Sequence, residues 1–399
     1  MKKIGIGFIS FLVLFLLFAC SGESPRYDRY PSEVEDGEYQ EIDPGQLTAA
    51  ELIDFENYEA FLELFSYQEG APNGAFYGFL FKGYYDGRFM IHITVKNQDM
   101  PLQGVSIELL SDTQNTLFKA VTNTLGIGLL FPKENQLSSI TSLKISKGER
   151  ILILPYTYSR ENQNVEIDLD EIDDKAQLIE IMFVIDTTGS MTDELSYIKA
   201  EVDDVISRIK YALPEATIKL ALLFYRDIGD VYVTRYFDFT ENIAIQKQNL
   251  ANQNAQGGGD WPEAVDRALD EAVSKNWSTL NSTKIIIHIL DAPPHDNTQK
   301  MSTYLSAVHE AAAKGIRMIP VASSGVDQYL EFLLRHQALY TGGSYVFLTN
   351  DSGIGNDHLP PDTVIEYVVE YLNDLLVRVI VEQHTGIKQE KISIYQQQP

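Results

Sequence analysis

The sequence predicts a doubly wound, mostly parallel α/β sheet preceded by a smaller antiparallel β-sandwich. Two changes of rhythm along the chain carry that prediction. From residue 178 onward, apolar β-rich runs alternate with helix-length periodic segments, as in a parallel sheet wrapped by helices. Between about residues 76 and 172, short alternating runs are separated by turn residues instead. The 399 residues suffice for two or three domains of roughly 100–200 residues each. With 44% hydrophobic and 22% charged residues the composition is globular, which excludes a largely disordered chain.

Met1-Lys2-Lys3 followed by a short apolar run through Phe18 and Ala19 has the layout of a secretory signal, expected over residues 1–19. The run is too short to span a bilayer comfortably, for which about 20 residues are needed. The only cysteine, Cys20, follows directly, so a disulfide scaffold and a thiolate zinc site are excluded. This arrangement resembles a bacterial lipoprotein cleavage site, although Phe18 stands where a small residue is usual. The resemblance implies lipidation of Cys20 and a membrane-anchored place in the bacterial cell envelope, with outer membrane and a periplasmic or surface face expected. An ordinary secretory signal with an incidental cysteine is the alternative.

Residues 20–46 read as an acidic tether, with eight acids against Arg26 and Arg29 between Ser21 and Asp43. Thr48-Ala-Ala-Glu51 has the form of a capping box, and the apolar residues that follow predict a short helical segment within 47–68. The sandwich is expected over 76–172, from the β-rich run 89–95, the alternation at 105–109, and turn chemistry at Asp86-Gly87 and Asn123 to Gly126. The aromatic run 76–85 is assigned to its core. Pro101-Leu102-Gln-Gly104-Val105, Thr122-Asn123 and residues 126–132 resemble carboxypeptidase regulatory-like (transthyretin-like) sandwiches. The resemblance implies a spacer or binding unit.

The α/β part is expected over 178–384, with a tail over 385–399. Its strands are predicted at 179–185, 218–225, 231–239, 284–290, 316–321 and 344–348. Helices are predicted at about 193–212 and 261–276, and a long periodic segment over 363–381 closes the domain.

In such sheets ligands bind beyond the carboxyl ends of the strands, where strand order reverses. Three strand-end loops there carry oxygen donors: Asp186-Thr-Thr188-Gly-Ser190, Gly257-Gly-Gly-Asp260-Trp261-Pro-Glu263, and Asp291-Ala-Pro-Pro-His295. Singly each has a bland explanation. Thr188 and Ser190 can cap a helix, Asp260 with Glu263 forms a capping box, and Asp291 ends a strand. Together they offer only hard oxygen donors, which suit magnesium or manganese, or less tightly calcium.

These loops, with Leu223-Phe-Tyr-Arg-Asp227, Phe237-Asp-Phe-Thr240 and Gly315 to Val321, resemble the von Willebrand factor type A domain and its metal-ion-dependent adhesion site. The resemblance covers about half the chain. It implies Asp186, Thr188, Ser190, Asp260 and Asp291 as ligands of a divalent cation, most simply Mg2+, and cation-dependent binding of another protein. Asp260 stands where many adhesive members have threonine. Three acids then set −3 against +2, so a partner carboxylate is repelled, and either a neutral or polar partner group or water at the open position is expected. Arg226, Asp227, Trp261 and His295 are expected at the rim, and His288 in the core.

The formal net charge of −26, from 57 acids and 31 bases, argues against nucleic acid as a partner. No G-x-S-x-G elbow, phosphate-binding P-loop or H-E-x-x-H helix is present. A binding module rather than an enzyme is therefore expected, with a metal-dependent hydrolase as the rival.

Overall fold

A computed structural model of the protein describes residues 42–64, 87–161, 163–169, 176–363 and 365–396. The signal segment, Cys20, the tether up to residue 41 and the aromatic run 76–85 lie outside the described residues.

The first ordered element corrects the reading of Thr48-Ala-Ala-Glu51. These residues belong to a strand, β1 (Thr48–Leu52), every residue of which is buried. The helix comes later and is one turn and a half long, α1 (Tyr58–Glu63). The physical reason is tertiary. β1 pairs antiparallel with β15 (Tyr345–Leu348) and β16 (Glu370–Tyr371), and that ladder with full burial outweighs a local capping preference. The end of the expected tether is also engaged, since the Glu201 carboxylate accepts the amides of Gly45, Gln46 and Leu47 at 2.8–3.0 Å.

Between β1 and the next strand of the large sheet lie two small sheets. One contains β2 (Ile91–Asn97), β3 (Met100–Pro101), β6 (Ile127–Leu130) and β9 (Asn164–Asp168), the last pairing parallel to β2. The other has the order β5-β4-β7-β8, from β4 (Ser106–Ser111), β5 (Thr116–Val121), β7 (Ile140–Lys147) and β8 (Arg150–Pro155). Their buried residues Ile93, Ile107, Leu109 and Ile145 join one apolar cluster with helices of the large sheet. Phe131 stacks on Tyr340 at 4.4 Å, and Phe118 meets His309 edge-on at 5.3 Å. The small sheets are thus an insertion within the large sheet's chain path and share its core.

The α/β part follows the predicted order. β10 (Leu178–Asp186), α2 (Leu195–Ala212), β11 (Thr217–Tyr225), β12 (Thr234–Thr240), α3 (Ile243–Ala251) and α4 (Val265–Ser274) come first. Then come β13 (Ser282–Leu290), α5 (Thr298–Lys314), β14 (Ile316–Ala322), α6 (Gln328–Thr341) and, after β15 and β16, α7 (Leu372–Thr385). The eight strands are ordered β12-β11-β10-β13-β14-β15-β1-β16, with β11, β10, β13, β14 and β15 parallel.

Alternation in β10 explains the two helical layers. Ile179, Ile181, Phe183 and Ile185 face the core under α2, α3 and α7, while Met182 and Val184 face the one under α4, α5 and α6. Three sequence boundaries shift. The third strand starts at Thr234 rather than 231, α4 starts at Val265 rather than 261, and the closing helix starts at Leu372, after β16 has paired with β1. Among the described residues no helix is long and apolar enough to cross a membrane.

Candidate metal site

β10 lies between β11 and β13, so the chain leaves β10 toward one side of the sheet and later fills the other side from β13. That reversal opens a crevice at the carboxyl ends of β10 and β13. Asp186 is the last residue of β10, and Asp291 directly follows β13.

The first loop is built around Asp186. Thr188 donates its amide (2.8 Å) and its hydroxyl (2.7 Å) to Asp186 Oδ1, and its Oγ1 lies 3.1 Å from the Ser190 hydroxyl. Ser190 lies beside Asp291 and Tyr225 beside Asp186, each opposing the upward effect of burial on that carboxyl. Asp186, Thr188 and Ser190 therefore form one hydrogen-bonded set, with Asp291 beside it. Thr188 does precede a short 3-10 turn, but its side chain makes no cap bond there, so the capping explanation does not account for it.

The glycine-rich loop behaves differently from its sequence reading. Asp260 is exposed. It does not form a capping box with Glu263, because α4 starts only at Val265, with Ala264 as its cap. Glu263 is instead buried, bridges to Pro294 and donates its amide to Pro293 O at 2.9 Å. Its carboxylate points back at the first loop. A Cβ on Gly258 would sit 2.8 Å from Glu263 Oε1 and 3.4 Å from Thr188 Cβ, at a φ of +70° that favours glycine. Sequence reasoning saw Glu263 only as a helix cap. No local signal gave this away, because a proline before it is equally compatible with the first turn of a helix.

The electrostatics are those of crowded, buried acids. Burial, reinforced by Asp186, Asp227, Asp291 and Asp230, pushes Glu263 up to about 9. Asp186 is raised by burial and then by Asp291 beside it, and Asp291 is raised mainly by burial. One oxygen on each of the three, Asp186 Oδ2, Asp291 Oδ1 and Glu263 Oε2, is buried without a hydrogen-bond partner. Among the described residues no three His, Cys, Asp or Glu side chains come together closely enough to cage a metal by themselves. What converges is a mixed set of carboxylates and hydroxyls. Unpartnered buried carboxylate oxygens next to free hydroxyl lone pairs suit a hard divalent cation.

The expected rim residues take distinct places. Arg226 is buried, donates to Thr187 O (3.1 Å) and Asn254 O (2.8 Å), and stacks on Tyr232, so it ties the first loop to the glycine-rich one. His295 Nε2 lies 2.7 Å from Asp227 Oδ1, linking the ends of the second strand and the last loop. Trp261 is exposed beside Asp260. His288 is a core residue, within 3.4 Å of both the Tyr225 hydroxyl and Gln337 Oε1, and burial pushes it down to about 4.

Residues 180–326 match the family model of the von Willebrand factor A domain. Over that stretch the chain is similar to an A-type domain. Over 122 residues, 30% of this chain, it is 31% identical to alpha-protein kinase vwkA of Dictyostelium discoideum, covering 19% of that protein. Over 215 residues, 50% of this chain, it is 24% identical to a putative ariadne-like RING finger protein of Acanthamoeba polyphaga mimivirus, covering 21% of it. The chain thus spans about a fifth of the length of the curated relatives it matches. Among solved structures it is similar to the conserved hypothetical protein BatB of Bacteroides thetaiotaomicron, with a TM-score of 0.34 and 16% identity over 44% of this chain and 93% of that one. An aerotolerance-related membrane protein of Bacteroides fragilis gives a TM-score of 0.28 and 14% identity, over 55% of this chain and 93% of that one.

Proposed function

We propose that this protein is a lipid-anchored component of the bacterial envelope whose A-type domain binds one divalent cation, magnesium foremost, to hold another protein. The observation that carries the reading is the set of three buried, unpartnered carboxylate oxygens on Asp186, Asp291 and Glu263 at the sheet's switch point. Asp186, Thr188, Ser190 and Asp291 would hold the ion, with Glu263 as the inner acid of the glycine-rich loop and Asp260 as the acid at the mouth. When bound, the cation supplies a positive centre with a position open to a partner's oxygen.

Asp186, Asp291 and Glu263 already set −3 against +2, and Asp260 adds another negative charge outside. A partner carboxylate is repelled by that arrangement, so the partner group is a neutral oxygen such as an amide or hydroxyl. The reading is a binding module, with a metal-dependent hydrolase using the same cation site as the rival. The anchor rests on the sequence of residues 1–20 alone, with Cys20 as the lipidated residue.

The test is calorimetric titration of the full chain with magnesium, manganese and calcium, for wild type and Asp186→Ala, followed by partner capture from envelope extract with and without chelator. Metal binding absent from wild type, or partner capture indifferent to chelator and to Asp186→Ala, overturns the reading. Loss of fatty-acid labelling in Cys20→Ser tests the anchor separately.

A further inference from the structure

A second polar cavity lies at the opposite end of the large sheet, where the insertion meets the amino ends of β13 and β14. It has a volume of about 300 Å³ and is lined by Lys147, Lys284, Lys314 and Arg317, with no aspartate or glutamate in its wall. In a chain of net charge −26, four cations around one hollow run against the overall balance. Nine residues of β13 separate this end from Asp291, roughly 25–30 Å at about 3.3 Å per residue. The two sites are therefore distinct.

Arg317 is the informative member. It is buried at 6% exposure, and among the described residues no carboxylate is paired with it. Its guanidinium donates to Thr341 O and Val121 O, both at 2.6 Å, so one side chain joins α6 to β5. Thr341 ends α6, and the negative end of that helix offsets part of the charge. Two carbonyls and a helix end are weak compensation for a buried guanidinium, which ordinarily has an anion. Burial alone pushes Arg317 down to about 10.

Lys284 also lacks an ion-pair partner among the described residues and donates to Lys314 O at 3.3 Å. Burial lowers it, Glu180 nearby opposes that shift, and the like charge of Lys314 adds to it. Lys314 is paired with Glu310 on its own helix, and Lys147 donates to Gln103 O at 2.6 Å. Thr283 and Gln103 add uncharged polar groups to the wall.

We propose that this cavity binds a compact multivalent oxyanion of the phosphate class. The volume sits at the lower end of small-ligand sites, which fits a phosphate or a small phosphate ester and excludes a folded peptide. Arginine's forked donors and the lysine point charges match phosphate oxygens. Such an anion would also bridge the insertion to the A-type domain, since Lys147 comes from one and Lys284, Lys314 and Arg317 from the other.

The experiment uses the full chain carrying Cys20→Ser, so that no lipid is attached, in chelator, so that no metal-bound phosphate is read. Inorganic pyrophosphate is titrated against sodium chloride of equal ionic strength while thermal unfolding is followed. Binding to vesicles of phosphatidylglycerol and of phosphatidylcholine is compared in parallel, which separates a free phosphate compound from a lipid headgroup. A saturable effect in either arm is expected, weakened about tenfold or more by Lys284→Gln and by Lys314→Gln. Lys247→Gln, on α3 and outside the cavity wall, should leave it unchanged. Arg317→Lys keeps the charge and loses the fork, and should weaken binding while the chain stays folded. No saturable effect in either arm, or one untouched by Lys284→Gln and Lys314→Gln, overturns the proposal.

Discussion

Thr188 gives both its amide and its hydroxyl to the same oxygen of Asp186, at 2.8 and 2.7 Å, and thereby leaves the other oxygen, Oδ2, buried and unpartnered. A carboxylate held in this way is fixed in orientation but not neutralised. In the proposed function, the free oxygen is the one that would meet the cation.

The charge at position 186 should therefore have opposite effects with and without metal. Asp186→Asn keeps the acceptor that Thr188 uses and removes a buried like charge beside Asp291. In chelator the variant should unfold at a temperature a few degrees higher, about 2–4 °C per kcal/mol for a domain of this size. With millimolar magnesium the order should reverse, because only wild type gains from the ion. Scanning calorimetry of both proteins in both buffers decides it, and a variant less stable in chelator would contradict the burial argument.

Glu263 and Asp260 should separate cleanly in metal affinity. Glu263→Gln removes an inner acid with an orphaned oxygen and should weaken magnesium binding tenfold or more. Asp260→Thr changes an exposed side chain and should weaken it less than threefold, an order-of-magnitude estimate from the weakness of exposed charge interactions. Titration of the two variants side by side is sufficient. The reverse ranking would return the sequence-based choice of Asp260 as the inner ligand.

The metal-free protein should lose stability as pH rises. Glu263, Asp186 and Asp291 all have folded-state values above those of the unfolded chain. Their stabilising contribution is complete below the unfolded carboxylate range near 4 and is lost as pH climbs through the raised values, which for Glu263 is about 9. Magnesium competes with those protons, so its stabilisation should grow from pH 5 to pH 8. Unfolding midpoints across that range, with chelator and with metal, test the sign. A rise with pH in chelator would show that other groups dominate.

A chain trimmed to start at residue 178 should not fold as a stable α/β domain. Arg335 is fully buried and bonds Asp54 at 2.7 Å, and Arg378 bonds Glu51 at 3.0 Å as well as Glu370 at 2.7 Å. Removing Asp54 takes away the two-point carboxylate partner of a buried guanidinium and leaves it only Glu331 and the Asp362 carbonyl, a loss on the order of 3 kcal/mol. The same truncation removes β1 from between β15 and β16. Asp54→Asn in the full chain isolates the ion-pair part, and its midpoint in urea should fall markedly. A cooperative, fully stable fragment 178–396 would contradict this account.

The sequence made the parallel sheet readable because its strands are long apolar runs buried on both faces, and that pattern survives without knowledge of neighbours. It made Asp186, Thr188, Ser190 and Asp291 readable because they sit within a few residues of strand ends, where topology alone brings them together. It misread Thr48 to Leu52 because five residues carry little local preference, and their partners lie about 300 residues away at Tyr345–Leu348. Glu263 was hidden for a related reason. A Glu three residues after Asp260 looks like a cap unless one knows that the helix begins later and that Pro293 holds the Glu263 amide.

By itself, then, the sequence determined the alternation that winds the sheet, the donors at its switch point and the acidic balance of the whole chain. Only the tertiary structure decided which acid of the glycine-rich loop turns inward, which segment closes the sheet beside β15, and where four cations gather against that balance. Strand periodicity is a local property of neighbouring residues. Burial of a charge, and the pairing of segments hundreds of residues apart, depend on surroundings that exist only after the chain has folded.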